Sequence, residues 1–294
     1  MAKVLVDIST ASFLLGGIKV KKLIIDHNTC IGCGMCTSIC PAYHLAVSDQ
    51  KCHEEDGLCI QCGQCQAVCP KDAIKVKRLS DVATRPVSEI KHNITPESLA
   101  EFYLSRRSCR YFTDQDISHE TFEKLIRNAT ANDASYYNIQ TTEYVVIEEK
   151  LNDFKKYLLD LLKDELDKNE YIELHGDQVD RNDFVRFYNM YMNGEFPHDP
   201  FFHEGRQAIA VFAKHPVDAA YGMSHIESMA YAMGLGGFWL GYAITASEKK
   251  PQEMMHFFPE VDQTKKMYAL FILGYPRIRY KRTSPKPQVK ISYM

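Results

Sequence analysis

The sequence predicts an α+β chain in two parts: a small cysteine-rich segment, then a sheet flanked by helices. Three observations lead there. Nine of the ten cysteines lie between Cys30 and Cys69, in two runs of one spacing. After them, amphipathic helical stretches and short apolar strands follow one another irregularly, which suits α+β better than a regular βαβ alternation. The length, 294 residues, exceeds what one core usually serves and suggests about two domains.

Composition narrows the class. The chain is 45% hydrophobic and 25% charged, ordinary for a globular protein, which excludes a disordered chain, a collagen and a membrane channel. The formal net charge of −3 argues against a general nucleic-acid binder. Residues 1–19 form an N-terminal extension to which no role is assigned. Its most apolar stretch, Ile8–Ile18, is short and holds Ser9, Thr10 and Ser12, so no membrane span is expected, and its flanks do not read as a signal peptide. Crowded cysteines without a secretion signal indicate metal ligation in a reducing, cytoplasmic setting rather than a disulfide framework.

The first segment, residues 20–78, opens with a strand over Lys22–Asp26. Cys30, Cys33, Cys36 and Cys40 then read C-x2-C-x2-C-x3-C before Pro41, and Cys59, Cys62, Cys65 and Cys69 repeat the run 29 residues later before Pro70. In the bacterial [4Fe–4S] run of this spacing, three close thiolates wrap one cube and the fourth Cys ligates the other cluster. The expected ligands are therefore Cys30, Cys33, Cys36 and Cys69 for one cluster, and Cys59, Cys62, Cys65 and Cys40 for the other. Zinc is the alternative, but zinc sites favour paired C-x2-C units with longer spacers. Gly32, Gly34 and Gly63 lie between ligands, where a side chain would crowd the loop. Cys52 is surplus and reads as a bystander. Ala73–Lys77 supplies a closing strand. Over roughly Val20–Lys77 the chain resembles the two-cluster bacterial-type ferredoxins. That resemblance implies a ferredoxin-like βαββαβ domain with two [4Fe–4S] clusters. Loaded, it would be roughly four charges more acidic than its side chains suggest, and an acidic electron carrier would need a complementary basic patch.

Residues 79–93 read as a linker, with Arg85, Pro86, Ser88 and no periodicity. In the second segment, 94–294, Thr95-Pro96-Glu97 opens a helix with Thr as N-cap and Pro at its first position. A second helix follows Ser118, its apolar face Phe122, Leu125, Ile126 and Ala129. Tyr144–Ile147 reads as a buried strand. Leu151–Leu166 is amphipathic, with Phe154, Leu158, Leu161 and Leu162 on one side. Tyr171–Phe202 reads as irregular and rich in Tyr, Phe, Asn and Asp. Ala208–Ala213 is a short strand. Asp218 is expected to cap a helix carrying Ala219, Met223, Ile226, Ala230 and Met233 on one stripe. Gly234–Ala243 and Met267–Gly274 read as strands. The basic, proline-bearing tail Tyr275–Met294 fits an extended arm laid on a partner subunit.

Five motifs in order carry a second resemblance. They are Arg106-Arg107-Ser108-Cys109-Arg110 with Phe112, Asn138-Ile139-Gln140, the long helix into Gly234-Leu235-Gly236-Gly237-Phe238-Trp239-Leu240-Gly241, Leu273-Gly274-Tyr275-Pro276, and the basic pair Lys281-Arg282. Over about Thr95–Arg282 the chain resembles the nitroreductase family. The resemblance implies an α+β sheet-with-helices domain that binds FMN in a homodimer. Arg106, Arg107, Ser108 and Arg110 would meet the phosphate, ribityl chain and pyrimidine edge; guanidinium forks suit phosphate. Asn138, with Gln140, can satisfy the donor and acceptors of the pyrimidine. Gly234, Leu235, Gly236 and Gly237 would let the backbone approach the ring. Lys281 or Arg282 would close the phosphate site, from the partner subunit. Where the family commonly shows A-P-S, this chain has Ala134-Ser135-Tyr136-Tyr137, and Thr141-Thr142-Glu143 replaces the usual Pro and aromatic. Ser135 and Tyr136 are counted with the cofactor site; Tyr136 and Tyr137 equally fit a core. Without the resemblance, the arginine run reads as a solvated helix end and the glycines as a turn. Cys109 reads as a small buried hydrophobe.

Residues 151–205 are the expected variable cap. Their run of Tyr188, Met190, Tyr191, Met192, Phe196, Phe201 and Phe202 fits packing or a pocket lid. The two resemblances together imply an FMN oxidoreductase fed single electrons through two clusters and reducing a small organic acceptor. Its electron source would be a low-potential carrier, ferredoxin or flavodoxin, or NAD(P)H. No catalytic residue is assigned. The alternative is an electron-transfer or redox-sensing module that serves a partner protein.

Overall fold

The computed structural model describes residues 21–56, 58–91, 93–131, 133–135, 138–168, 171–174, 177–285 and 287–294. The stretch Ile8–Ile18 and the pair Tyr136 and Tyr137 lie outside the described residues. The chain divides into two compact units, Met1–His92 and Asn93–Met294.

In the first unit the order is β1 (Leu23–Ile25), α1 (Met35–Ile39), β2 (Leu45–Ser48), β3 (Lys51–Glu54), α2 (Gln64–Val68) and β4 (Ile74–Val76). The outer strands close on each other: β1 pairs antiparallel with β4, Leu23 opposite Val76. β2 and β3 form a hairpin, Val47 opposite Cys52. Its turn runs through Asp49 and Gln50, both at positive φ (48° and 56°), which matches the strand twist. The core is Leu23, Leu45, Ala73, Ile74 and Val76 together with Cys30, Cys36, Cys52 and Cys65. Cysteine thus makes up much of a small interior. Single 3-10 turns at Lys77–Leu79 and Val87–Glu89 follow, with mostly exposed residues between them.

The second unit begins with α3 (Pro96–Ser105). Thr95 caps it: its hydroxyl accepts from the Ser98 N–H, and Ser98 reciprocates, a capping box. α4 (His119–Ala129) is capped by Ser118. β5 (Glu143–Ile147), α5 (Leu151–Leu166), the hairpin β6 (Tyr171–Leu174) and β7 (Asp177–Asp180), and α6 (Arg181–Met192) follow. Then come β8 (Gln207–Ala213), α7 (Pro216–Ala232), β9 (Gly236–Trp239), α8 (Gly241–Lys249), α9 (Pro251–His256) and β10 (Lys266–Gly274). Four strands make an antiparallel sheet in the order β5-β8-β10-β9. Alternation along the central strands divides the core. Ala208, Ala210, Phe212, Leu270 and Ile272 pack with Phe154, Leu158 and Leu162 of α5 and with Met254 and Phe258. Ile209, Val211, Ala213, Ala269, Phe271 and Leu273 pack with Phe122 and Leu125 of α4 and with Ala219, Ile226 and Ala230 of α7. Burial on both faces explains why β8 reads as one apolar run.

Four segments differ from expectation. Tyr171–Phe202 is not irregular: α6 fills its middle, started by Asp180, whose carboxylate accepts from the Asn182 and Asp183 N–H groups. Asp218 does not cap α7. His215 holds that position, Pro216 takes the first turn, and Asp218 is buried inside the helix start. The strand expected over Gly234–Ala243 ends at Trp239, because Leu240 turns the chain into α8, where Ala243 and Ala246 are buried. β5 is only half-buried apart from Ile147, since it is an edge strand paired with β8 alone.

Candidate functional site

In the first unit the cysteines gather in two groups. Cys30, Cys33, Cys36 and Cys69, with Cys52 beside them, line one cavity. Cys40, Cys59, Cys62 and Cys65 line another. Cys36 and Cys65 sit on the short helices, which Gly34 and Gly63 start in the left-handed conformation. Cys40 and Cys69 end those helices in extended backbone, so each fourth sulfur turns away from its own run. Gly32 is obligatory: a Cβ there would lie 2.4 Å from the Gln50 carbonyl oxygen, at φ +64°.

Backbone donors face the sulfurs. The Cys52 N–H donates to Cys30 Sγ (3.4 Å), His44 N–H to Cys40 Sγ (3.4 Å) and Ala73 N–H to Cys69 Sγ (3.3 Å). Burial pushes the Cys65 thiol up to about 11 and raises Cys59 as well. Thiols in such surroundings ionise reluctantly by themselves, and a bound metal core inverts that balance. Four thiols lining each cavity are a donor set that suits a sulfur-bridged cluster, which spreads its ligands around a cube.

In the second unit the run of Arg106, Arg107, Ser108 and Arg110 meets β9 at one backbone contact. The Cys109 N–H donates to the Gly237 carbonyl (2.8 Å). Arg106 pairs with Glu227 of α7 at 2.6 Å, and the same carboxylate oxygen accepts from Trp239 Nε1 at 3.0 Å. Arg106 Nε is buried without a partner among the described residues, a donor that an anionic group could use. Arg107 lies over the Tyr280 ring at 4.0 Å, and the Tyr280 hydroxyl donates to the Ser108 carbonyl at 3.2 Å. That contact brings the exposed Lys281 and Arg282 next to the arginine run. Arg110 lies over the Phe238 ring at 5.2 Å. His203 meets the same ring edge-on, and burial, then the Arg110 charge, hold its imidazole below the usual range.

The glycines of Gly234–Gly237 serve packing inside the chain. A Cβ on Gly236 would lie 2.7 Å from Cys109 Cβ, and one on Gly237 would lie 2.5 Å from the Ile272 carbonyl oxygen. Their smallness is thus required by Cys109 and β10. Leu235 is core. Gly234 turns at φ +79° with open space around it.

Ser135, Asn138 and Gln140 form a separate loop. The Asn138 N–H donates to the Ser135 carbonyl (2.9 Å), the Gln140 N–H to Ser135 Oγ (2.9 Å), and Gln140 Nε2 to Asn138 Oδ1 (3.2 Å). Asn138 and Gln140 both take positive φ, 56° and 54°. The loop is tied to α7 through Asp133 and His225 (2.5 Å). His225 and Glu227 are two residues apart, near opposite sides of a helix. The arginine run and the Asn138 loop therefore reach α7 from different directions. Tyr136, expected beside them, lies outside the described residues.

The aromatic run of the cap divides. Phe201 and Phe202 are core with Phe184, Tyr188 and Tyr191 pack against them, and Met192 is exposed. A cavity of about 970 Å³ lined by Glu148, Lys155, Asp199, Arg206 and Phe257 borders Val145–Ile147 of β5, and none of the described residues expected to hold FMN lines it. Sequence reasoning missed Glu227, His225 and Tyr280. Glu227 had a signal, being the one acid between Asp218 and Glu248 in an apolar stretch.

The comparisons with known proteins agree with this division. The model of the nitroreductase family matches residues 103–275, and that of a 4Fe-4S dicluster domain matches residues 22–70. No curated protein matches the chain. Similar solved structures include a BluB-like flavoprotein from Clostridium difficile 630, with 20% identity and a TM-score of 0.46 over 66% of this chain and 99% of that one. A nitroreductase with bound FMN from Bacteroides fragilis NCTC 9343 has 15% identity and a TM-score of 0.48, over 66% and 98%. Another with bound FMN, from Desulfitobacterium hafniense DCB-2, has 19% identity and a TM-score of 0.48, over 68% and 100%. With its family model spanning the sheet, the arginine run and the glycine strand, the chain belongs to the nitroreductase family and carries a 4Fe-4S dicluster domain before it.

Proposed function

We propose that the chain is an FMN-dependent oxidoreductase that receives single electrons through two [4Fe–4S] clusters and reduces a small organic acceptor. The observation that carries this is the pair of four-cysteine cavities on a chain of this family. On this reading the first unit is a ferredoxin-like βαββαβ domain spanning residues 20–78, joined by a linker to the FMN domain at 94–294. Cys30, Cys33, Cys36 and Cys69 hold one cluster; Cys59, Cys62, Cys65 and Cys40 hold the other. When bound, the clusters supply one-electron transfer and FMN supplies the exchange between one- and two-electron chemistry.

The chain's own residues then bind and orient. Arg106, with its unpartnered Nε, Arg107, Ser108 and Arg110 hold the FMN phosphate and pyrimidine edge, and Lys281 or Arg282 closes the phosphate site. Ser135, Tyr136, Asn138 and Gln140 present amide and hydroxyl groups to the pyrimidine, beside the turn and strand of Gly234–Gly237. Cations beside the pyrimidine favour negative charge there. Because the arginine run and the Asn138 loop leave α7 on different sides, one chain does not aim both sets at a single face, and a homodimer supplies each FMN from two copies. The tail is held on its own chain from Tyr275 to Tyr280, so the residues after Tyr280 form the arm that crosses. Residues 151–205 cap the acceptor site. A reducing cytoplasm is the setting the thiolate ligands need.

Anaerobic stopped-flow spectra of the purified protein test the reading. Mixed with reduced ferredoxin, the cluster bands should bleach before the flavin band, and the flavin should reoxidise on adding a nitro or quinone acceptor. Direct flavin reduction by NADPH, with electrons running outward to the clusters, would instead make the first unit an exit toward a partner protein.

A further inference from the structure

The two cysteine cavities are related by the 29-residue offset of the cysteine runs, and the relation extends past the ligands. Adding 29 to Leu23, Ala42 and Leu45 of the second cavity gives Cys52, Lys71 and Ile74 of the first. Comparing the two sites position by position therefore isolates what differs between them. Leu23 and Leu45 are apolar and buried, as is Ile74. Cys52 and Lys71 are chemically different from their counterparts.

Cys52 is 1% exposed, and its Sγ lies 3.4 Å from Cys36 Sγ. Its backbone N–H also faces Cys30 Sγ. The Cys52 thiol is thus a hydrogen-bonding group set against a ligand sulfur of the first site. Leu23 has nothing to donate at the matching place. Lys71 borders the first cavity where the second has Ala42, and its exposed side chain keeps a positive charge near that site. The second cavity instead has a carboxylate behind its wall. Glu54 Oε1 accepts from the Lys22 and Leu23 N–H groups (3.0 and 3.1 Å) and lies 3.2 Å from His44 Nε2, and Leu23 and His44 both line that cavity. Glu54 has Ile25 as its counterpart in the other half, and Lys51, the counterpart of Lys22, donates from Nζ to the Cys30 carbonyl at 2.7 Å, a further positive group at the first site.

Hydrogen bonds to ligand sulfurs and nearby positive charge stabilise the reduced, more negative cluster; nearby negative charge destabilises it. We propose that the two clusters are electrically unequal, the one held by Cys30, Cys33, Cys36 and Cys69 being the more easily reduced because Cys52 and Lys71 face it and Glu54 backs the other. This rests on the two-cluster reading above. Cys52 is then a positioning and tuning residue, and the first site is where an electron rests.

The test is an anaerobic redox titration of the full-length protein followed by electron paramagnetic resonance, alongside iron and sulfide analysis. Two reduction waves are expected, separated by at least about tenfold in equilibrium constant, which is about 59 mV for a one-electron couple. Cys52→Val and Lys71→Met should each shift only the more positive wave downward, and Glu54→Gln only the more negative wave upward. Lys71→Met is an exposed change, so it reads the first site even where Cys52→Val fails to load. Two full clusters reduced in one wave, or variants that move the opposite waves, overturn the inference and leave the cofactor reading standing. Iron and sulfide short of two clusters overturn both.

Discussion

His203 lies against the Phe238 ring with the Arg110 guanidinium close by, and both burial and that charge favour its neutral form. Its folded-state pKa is below the ordinary 6.5, so an unfolded chain takes up the proton first. Above that pH the two states bind protons alike; as pH falls through the interval below 6.5, stability is lost. Denaturant melts at stepped pH should show that slope, and His203→Asn, which tolerates the residue's positive φ of 50°, should flatten it. The residue scale is also where the sequence was most and least readable. The eight cysteines proposed as ligands stand out by spacing alone, because a cluster fixes how far apart its ligands can lie along a loop. The partners of Arg106 and Arg107 do not, because Glu227 and Tyr280 reach them across long separations that no local pattern records.

At the scale of elements, local chemistry and tertiary context divide the same way. α5 is legible over Leu151–Leu166 because Phe154, Leu158, Leu161 and Leu162 repeat at helical spacing, and α3 because Thr95 and Pro96 announce it. α6 is harder to see. Only Phe184 is fully buried, and the flanking Asn and Asp residues read as loop. Its start depends on Asp180, so Asp180→Ala should cost about 0.5–2 kcal/mol, read as a lower denaturation midpoint with an unchanged m-value. The end of β9 was illegible for another reason. Gly241–Ala246 is as apolar as the strand before it, and only packing against α5 and β10 makes it a helix.

On the scale of the whole molecule, the two units rest on unlike foundations. The second has a sheet buried on both faces. Among its described residues the first buries five aliphatic residues and four cysteines as its interior, a small core in which metal ligation would count for much. Removing iron with a chelator under reducing conditions should therefore unfold the first unit alone. Limited proteolysis should then cut within residues 20–78 while leaving Gln207–Ala213 and Lys266–Gly274 intact. Loss of both units together would mean that they do not fold separately.

The pairing of β1 with β4 bears on how such a chain could arise. Leu23 stands opposite Val76, so the chain enters and leaves the first unit at one edge. A module whose ends meet can be spliced ahead of a foreign gene, excised or circularly permuted without reopening its interior. Its 29-residue internal repeat, in turn, is what duplication of a half-sized ancestor would leave behind. Cys52 and Lys71 then stand among the positions at which the two halves differ.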